Sequence, residues 1–335
     1  MNSLVEPNLN ADVYRNMTAA DRPPVPDRFL QFILIYDENS AILGGSNLTD
    51  RYWSGTVWYY NDISDFDRNK AHIATKTESG VCDAVFLDNN KFVIGEDSGV
   101  LQVFDITTGP DDSQQLQCAG YACLHDDSII TLSAFADNDR VVSAGMDCCI
   151  KVWDIPELMA TQSFNSAHID AITCVDVKPK SNTEFVSTSM DCEGLLWDLR
   201  QGKPAQRILN RDSGLTAVRW NPSLENILAI GNEDGEVIIM DARKLGMETL
   251  RKSDALCRPI HKLLFNPCSE RSEELAVCYD DTIVEVLDIN SQFSSMYKDN
   301  RHTDFTRGIT WFDSLLYSCS WDNVVLKHAT AFKDE

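Results

Sequence analysis

GMDCCIKVWDI (145–155) and SMDCEGLLWDL (189–199) share one layout. Each leaves a turn that holds Asp and Cys, runs through a short apolar stretch and ends on Trp-Asp, with Asp154 and Asp198 separated by 44 residues. Outward from this pair the ending recurs as GVLQVFDI (99–106), GEVIIMDA (235–242) and DTIVEVLDI (281–289). The terminal aspartates Asp105, Asp154, Asp198, Asp241 and Asp288 are spaced by 49, 44, 43 and 47 residues. Weaker copies flank them: GTVWYYND, with Asn61 at the aspartate position, and NVVLKHAT, with Ala329 there, so the units number seven. A repeat of this length marks supersecondary units that cannot bury their apolar faces alone and must pack on one another.

Each unit has the same internal order. An alternating apolar run comes first, as in AITCVDVK (171–178) or LTAVRWNP (215–222). A second run follows, as in EFVSTS (184–189) or ILAIG (227–231), then a tight turn and the Asp-terminated run. Period-two alternation, β-branched residues and turn punctuation predict strands, and helical periodicity is nearly absent. The expected fold is all-β, a seven-bladed β-propeller spanning 28–335. Ring closure is needed to hide sheet edges, and FLQFILIY (29–36) supplies apolar strand material before blade one. Residues 1–27 carry Pro23, Pro24 and Pro26 among polar residues and are expected to be a flexible tail.

Composition narrows the function classes. The net charge of −23 opposes direct nucleic-acid binding, which needs Lys and Arg to neutralise phosphates. It equally opposes docking on anionic membranes and favours cationic partners. No stretch reaches the roughly 18 apolar residues that span a bilayer. The N-terminus has neither the basic start nor the apolar run of a signal peptide. A cytoplasmic chain, also able to enter the nucleus, is therefore expected. There are 11 cysteines, several inside apolar runs, and none forms a Cys-x-x-Cys pair. No metal site and no cofactor are expected. Cys148 and Cys149 are adjacent and are expected to point to opposite faces of a strand.

Four residue types recur in register. His125, His168 and His302 open units. Asp147, Asp191, Asp234, Asp281 and Asp322 stand seven residues before the terminal position, and Ser143, Ser187 and Ser318 stand four residues before that aspartate. Trp153 and Trp197 stand near the end. This pattern resembles the WD40 family over roughly 28–330. The resemblance implies buried structural tetrads: His125, Ser143, Asp147 and Trp153 in blade three, and His168, Ser187, Asp191 and Trp197 in blade four. Trp only donates, and Ser both donates and accepts, so the chain of bonds is chemically consistent. His328 occupies the Trp position of blade seven, whose set is expected to be incomplete. A Ser/His/Asp hydrolase is rejected because the three recur in several units, whereas a catalytic triad occurs once, and no Gly-x-Ser-x-Gly is present. The chain is expected not to be an enzyme.

Blade one breaks the repeat. AILGGSNLTDRYWSGTVWYY (41–60) inserts roughly seven residues, SNLTDRYWS, between Gly45 and Gly55. The insert reads as a polar loop carrying Arg51, Tyr52 and Trp53, residue types enriched among interface anchors. Together with TESGVCDAVFLDNNKFVIGEDSGVLQVFDI (77–106) and DCCIKVWDI (147–155), this stretch resembles the methylosome protein 50 family, including its insect Valois-like members. That resemblance implies a scaffold that binds protein arginine methyltransferase 5, with Arg51 and Trp53 matching the family's Arg-x-Trp partner-binding loop. Tyr52 departs from the smaller residue of vertebrate members. NPCSERSEEL (266–275) matches less well, so contacts of the last blades are not carried over. The resemblance also implies presentation of cationic, Arg-rich histones and Sm proteins, and Tudor-domain or germline partners. The competing readings are a substrate receptor of a cullin-RING ubiquitin ligase, suggested by Trp197-Asp198-x-Arg200 and echoed in MDAR (240–243), and another protein-interaction scaffold.

Overall fold

Alternating side chains with punctuating turns fold into hairpins, and in this chain the hairpins form blades. The computed structural model describes residues 29–49, 52–109, 114–201, 203–204, 206–244, 248–253 and 257–330, with backbone only at 48, 49, 52, 53 and 248–253. The expected tail, 1–27, lies outside the described residues. Blade one comprises β1 (Phe29–Asp37), β2 (Ser40–Thr49), β3 (Tyr52–Tyr60) and β4 (Ile73–Thr77); blade two comprises β5 (Val81–Asp88), β6 (Lys91–Glu96), β7 (Val100–Thr108) and β8 (Gln114–Cys123). Blade three has β9 (Ile129–Ala134), β10 (Arg140–Gly145), β11 (Ile150–Asp154) and β12 (Met159–Phe164). Blade four has β13 (Ile172–Val177), β14 (Glu184–Ser189), β15 (Glu193–Asp198) and β16 (Gln206–Asn210). Blade five follows with β17 (Leu215–Trp220), β18 (Ile227–Asn232), β19 (Glu236–Asp241) and β20 (Glu248–Ser253). Blade six is β21 (Ile260–Phe265), β22 (Glu274–Tyr279), β23 (Val284–Asp288) and β24 (Ser294–Asp299). Blade seven shows three strands among the described residues, β25 (Thr306–Phe312), β26 (Leu315–Ser320) and β27 (Val325–His328).

All neighbours within a blade are antiparallel. The first strand of each blade touches the first strand of the next, and β25 touches β1, so seven sheets close a ring. The segment 29–36, expected ahead of blade one, is instead that blade's own innermost strand, paired with β2 from Phe29↔Ser46 to Ile35↔Ala41. Closure is apolar: Leu30, Leu43, Trp58 and Tyr60 of blade one form one buried cluster with Tyr317 and Cys319 of blade seven. Each such fully buried aliphatic or aromatic side chain contributes on the order of 1.5–3 kcal/mol. Gly308 makes the approach possible, since a Cβ there would lie 2.9 Å from the Ile33 backbone nitrogen. Equivalent clusters join the other blades, as Phe135 and Ile150 of blade three join Phe185 and Trp197 of blade four.

The alternation of direction fixes two ends. The turns between second and third strands lie at the same end as the links that enter each next blade. The turns between first and second strands lie at the other. Cys148 and Cys149, expected on a strand, fall in the β10–β11 turn, where Cys148 adopts a left-handed φ of 57°. The strand begins only at Ile150, so the argument about opposite faces does not apply to them.

Candidate protein-interaction surfaces

The recurring His, Ser, Asp and Trp meet inside their blades. In blade three the His125 Nδ1–H donates to Asp147 Oδ2 at 2.8 Å, Ser143 Oγ–H donates to His125 Nε2 at 2.7 Å, and Trp153 Nε1–H donates to Ser143 Oγ at 2.7 Å. Blade four repeats this with His168–Asp191 at 2.8 Å, Ser187–His168 at 2.7 Å and Trp197–Ser187 at 2.8 Å. Burial pushes both imidazoles below their usual pKa, against the pull of the partner aspartates. Burial alone would raise the Asp191 carboxyl, but the Ile169 N–H and His168 hold it lower. Ser143 and Ser187 are fully buried, so neither hydroxyl faces a substrate.

Blade seven differs from its expected incompleteness. His302 bonds Asp322 at 2.9 Å and Ser318 at 2.7 Å, and His328 Nε2 lies 2.7 Å from Ser318 Oγ. The imidazole of His328 reaches the serine from the strand position that Trp153 and Trp197 occupy, so the set is closed. Asp281 of blade six has Arg258 at 3.0 Å where a histidine stands elsewhere. Asp198 is gripped by Arg200 through Nε and Nη2 at 2.6–3.0 Å, and Asp241 by Arg243 at 2.6–2.9 Å. The Asp-x-Arg spacing thus recurs as a pair at the end of the third strand in these two blades, and Asp299 with Arg301 repeats it at the end of β24.

The blade-one insert is not a loop along most of its length. Pairing of β2 with β3 continues beyond Ser46↔Gly55, the last pair flanked by β1 and β4, through Asn47↔Ser54, Leu48↔Trp53 and Thr49↔Tyr52. Backbone pairing, rather than polarity, decides this, because the alternate N–H and C=O groups that face across the hairpin find partners there. Arg51 lies outside the described residues, while Tyr52 and Trp53 are placed by their backbone at the hairpin's outer pairs. The base is tied to blade two: Ser46 Oγ donates to Val81 O at 3.1 Å and accepts from Val81 N at 3.0 Å. This hairpin joins a second to a third strand, so it projects from the end where blades link.

At that same end the axial channel opens into a cavity of about 440 Å³, lined by Ile130, Met146, Asp170, Met190, Thr216 and His261, among others. Below it Lys262 Nζ crosses from blade six to Asp83 of blade two at 3.2 Å, and Arg219 faces Asp176 at 3.4 Å. Burial pushes the Asp176 carboxyl up to about 6 despite that arginine. Burial and the Arg307 charge hold His261 well below its usual pKa. Sequence reasoning missed this mouth, although the Met-Asp-Cys triplet at 146–148 and again at 190–192 signalled it. Among the described residues, no group of three or more His, Cys, Asp or Glu side chains is placed to hold a metal ion.

Comparison with known proteins agrees with this architecture. The family model described as WD domain, G-beta repeat, matches residues 121–154. Protein valois of Drosophila melanogaster is 26% identical over 258 residues, 72% of this chain and 70% of that protein. A guanine nucleotide-binding protein subunit beta of Saccharomyces cerevisiae is 26% identical over 114 residues, 32% of this chain and 26% of its own length. Methylosome protein WDR77 of Xenopus laevis is 31% identical over 298 residues, 87% of this chain and 86% of that protein. With that identity spread over nearly the whole ring, the chain belongs to the methylosome protein WDR77 family of WD40 propellers.

Proposed function

We propose that this chain is a non-catalytic scaffold that binds protein arginine methyltransferase 5 through the blade-one hairpin and helps present Arg-rich substrates such as histones and Sm proteins. The observation that carries the reading is the hairpin itself. It is the one second-to-third-strand connection, among those described, whose pairing runs past Ser46↔Gly55 and clear of the blade. Its outer pairs hold Tyr52 and Trp53, which Arg51 precedes in the sequence. Tryptophan, tyrosine and arginine are the residue types most enriched among interface anchors, and a backbone already paired as a hairpin has less freedom to lose on docking. The methylosome membership supplies the kind of assembly, and the surplus of carboxylates supplies attraction for cationic chains. The scaffold works in the cytoplasm and the nucleus.

The test is co-purification with the methyltransferase, using wild type and Trp53→Ala. Truncation of an interface anchor costs about 2–4 kcal/mol, which is about 30- to 1000-fold in affinity. Full-strength binding by Trp53→Ala removes Trp53 as the anchor. Stoichiometric capture of a ubiquitin-ligase adaptor in place of the methyltransferase replaces the reading altogether.

A further inference from the structure

The cavity at the hairpin end of the channel is apolar on its floor and acidic on its rim. Its floor is made by Ile130, Ile172, Ile260 and Pro259, and its lip by Met146 and Met190. Met146 is 49% exposed, and Ile169 beside the rim is 92% exposed. Apolar side chains left to water in this way, around a concavity, mark a surface meant to be covered. Asp170 stands on the rim, and among the described residues its carboxylate is bonded only to the following Ala171 N–H at 2.7 Å. Asp280 lies opposite, shared with Arg307 at 2.8 Å and His261 at 3.8 Å. The Thr216 hydroxyl is buried at the floor without a hydrogen-bond partner among the described residues.

We infer that this cavity is a docking site for an extended Arg-rich segment of a partner chain, with one arginine stem laid between Met146 and Met190 and its guanidinium on Asp170. The chemistry is complementary at both ends of that side chain. A long aliphatic stem covers apolar surface while its charged head stays at the wet rim, and a carboxylate matches the guanidinium fork. A second copy of this chain is disfavoured, because two bodies of charge −23 repel. Asp280, already engaged by Arg307, is the weaker acceptor, so the cavity has direction. The site deepens the scaffold reading and rests on it for biological meaning. Hairpin and cavity emerge at one end of the ring, so a chain held in the cavity lies on the side where the hairpin holds its enzyme.

The probe is a fluorescein-labelled peptide of five Gly-Arg repeats, titrated by anisotropy at low salt. Asp170→Asn and, separately, Met190→Ser should each weaken binding at least tenfold with unchanged melting temperature. Glu38→Gln removes an equal charge in the β1–β2 turn at the opposite end and should change affinity less than twofold. A peptide with citrulline in place of arginine keeps the shape without the charge and should not bind. Wild-type affinity in both cavity variants, an equal loss in Glu38→Gln, or binding of the citrulline peptide would overturn the assignment. Methyltransferase capture is measured in parallel. The cavity variants should retain it and Trp53→Ala should lose it while still binding the peptide, so failure of either reading is seen separately.

Discussion

Blades three and four close their buried hydrogen-bonded sets on an indole, and blade seven closes the same set on an imidazole. An indole offers one N–H and nothing that titrates. An imidazole brings a second nitrogen that must also be satisfied. His328 Nδ1 lies 3.1 Å from Tyr297 Oη and 3.2 Å from Asp299 Oδ2, while Tyr297 O–H donates to Asp299 at 2.7 Å. Ser318 has a single proton to give and two imidazole nitrogens beside it, those of His302 and His328, each at 2.7 Å. If that proton goes to His302, neutral His328 must donate through Nε2, and Nδ1 then competes with Asp299 for the tyrosine proton. The histidine variant is therefore one proton short of the tryptophan variant. Burial nonetheless keeps His328 unprotonated near neutrality, lowering its pKa from 6.5 to about 4 against the favourable Asp299 charge. One geometry, with one substitution at its closing position, exchanges a closing group that does not titrate for one that does.

The comparison can be broken most severely at the indole. Trp153 has no exposed surface, and Trp153→Ala is expected to cost about 3–5 kcal/mol, read as a lowered urea midpoint. A loss below about 1 kcal/mol would mean that the blade collapses onto the gap and that the indole is not the closing element.

Acid sharpens the contrast next. Unfolded His328 titrates near 6.5 and folded His328 at about 4, so the unfolded chain takes up the proton first as pH falls. The stability this group contributes is complete above pH 6.5 and is lost on descent to about pH 4. The loss is about 3 kcal/mol at 1.36 kcal/mol per pKa unit. His125 and His168 are shifted in the same direction, so the group is assigned by difference. His328→Phe should show a shallower fall in unfolding free energy between pH 7.5 and 4.5 than wild type. Parallel pH profiles for the two proteins would refute the assignment.

The smallest expected effect tests the shared part of the sets. Asp147→Ala removes the acceptor of the His125 Nδ1–H and leaves that buried donor unpaired, a cost of about 1–3 kcal/mol. Differential scanning fluorimetry should show a lower melting temperature. An unchanged one would contradict a supporting role for the aspartate.

Much of this was legible along the chain. The seven-residue spacing from Asp147 to Asp154 and from Asp191 to Asp198, with Ser four residues earlier, carries the WD40 resemblance, and that resemblance implies both tryptophan-closed sets. Period and identity carry that information, because each unit repeats one local solution. His328 was read as a gap in the pattern, since spacing does not reveal that an imidazole nitrogen at that strand position reaches the serine an indole reaches. SNLTDRYWS reads as a polar loop because its composition is polar and it carries no period-two alternation. The backbone ladder Ser46↔Gly55 to Thr49↔Tyr52 shows that pairing decides.

By itself the sequence determined the repeat, the strand grammar and the excess of carboxylates, all properties of short segments and of composition. Only the tertiary structure decided that β1 is blade one's own inner strand and that it closes the ring against β25. It also decided that Met146, Asp170, Met190, Thr216 and Asp280 surround one cavity. Those residues come from four consecutive blades, and their proximity exists only once the sheets have curved round the channel. Circular closure is a sum of small rotations between neighbours, and no window along the chain contains it.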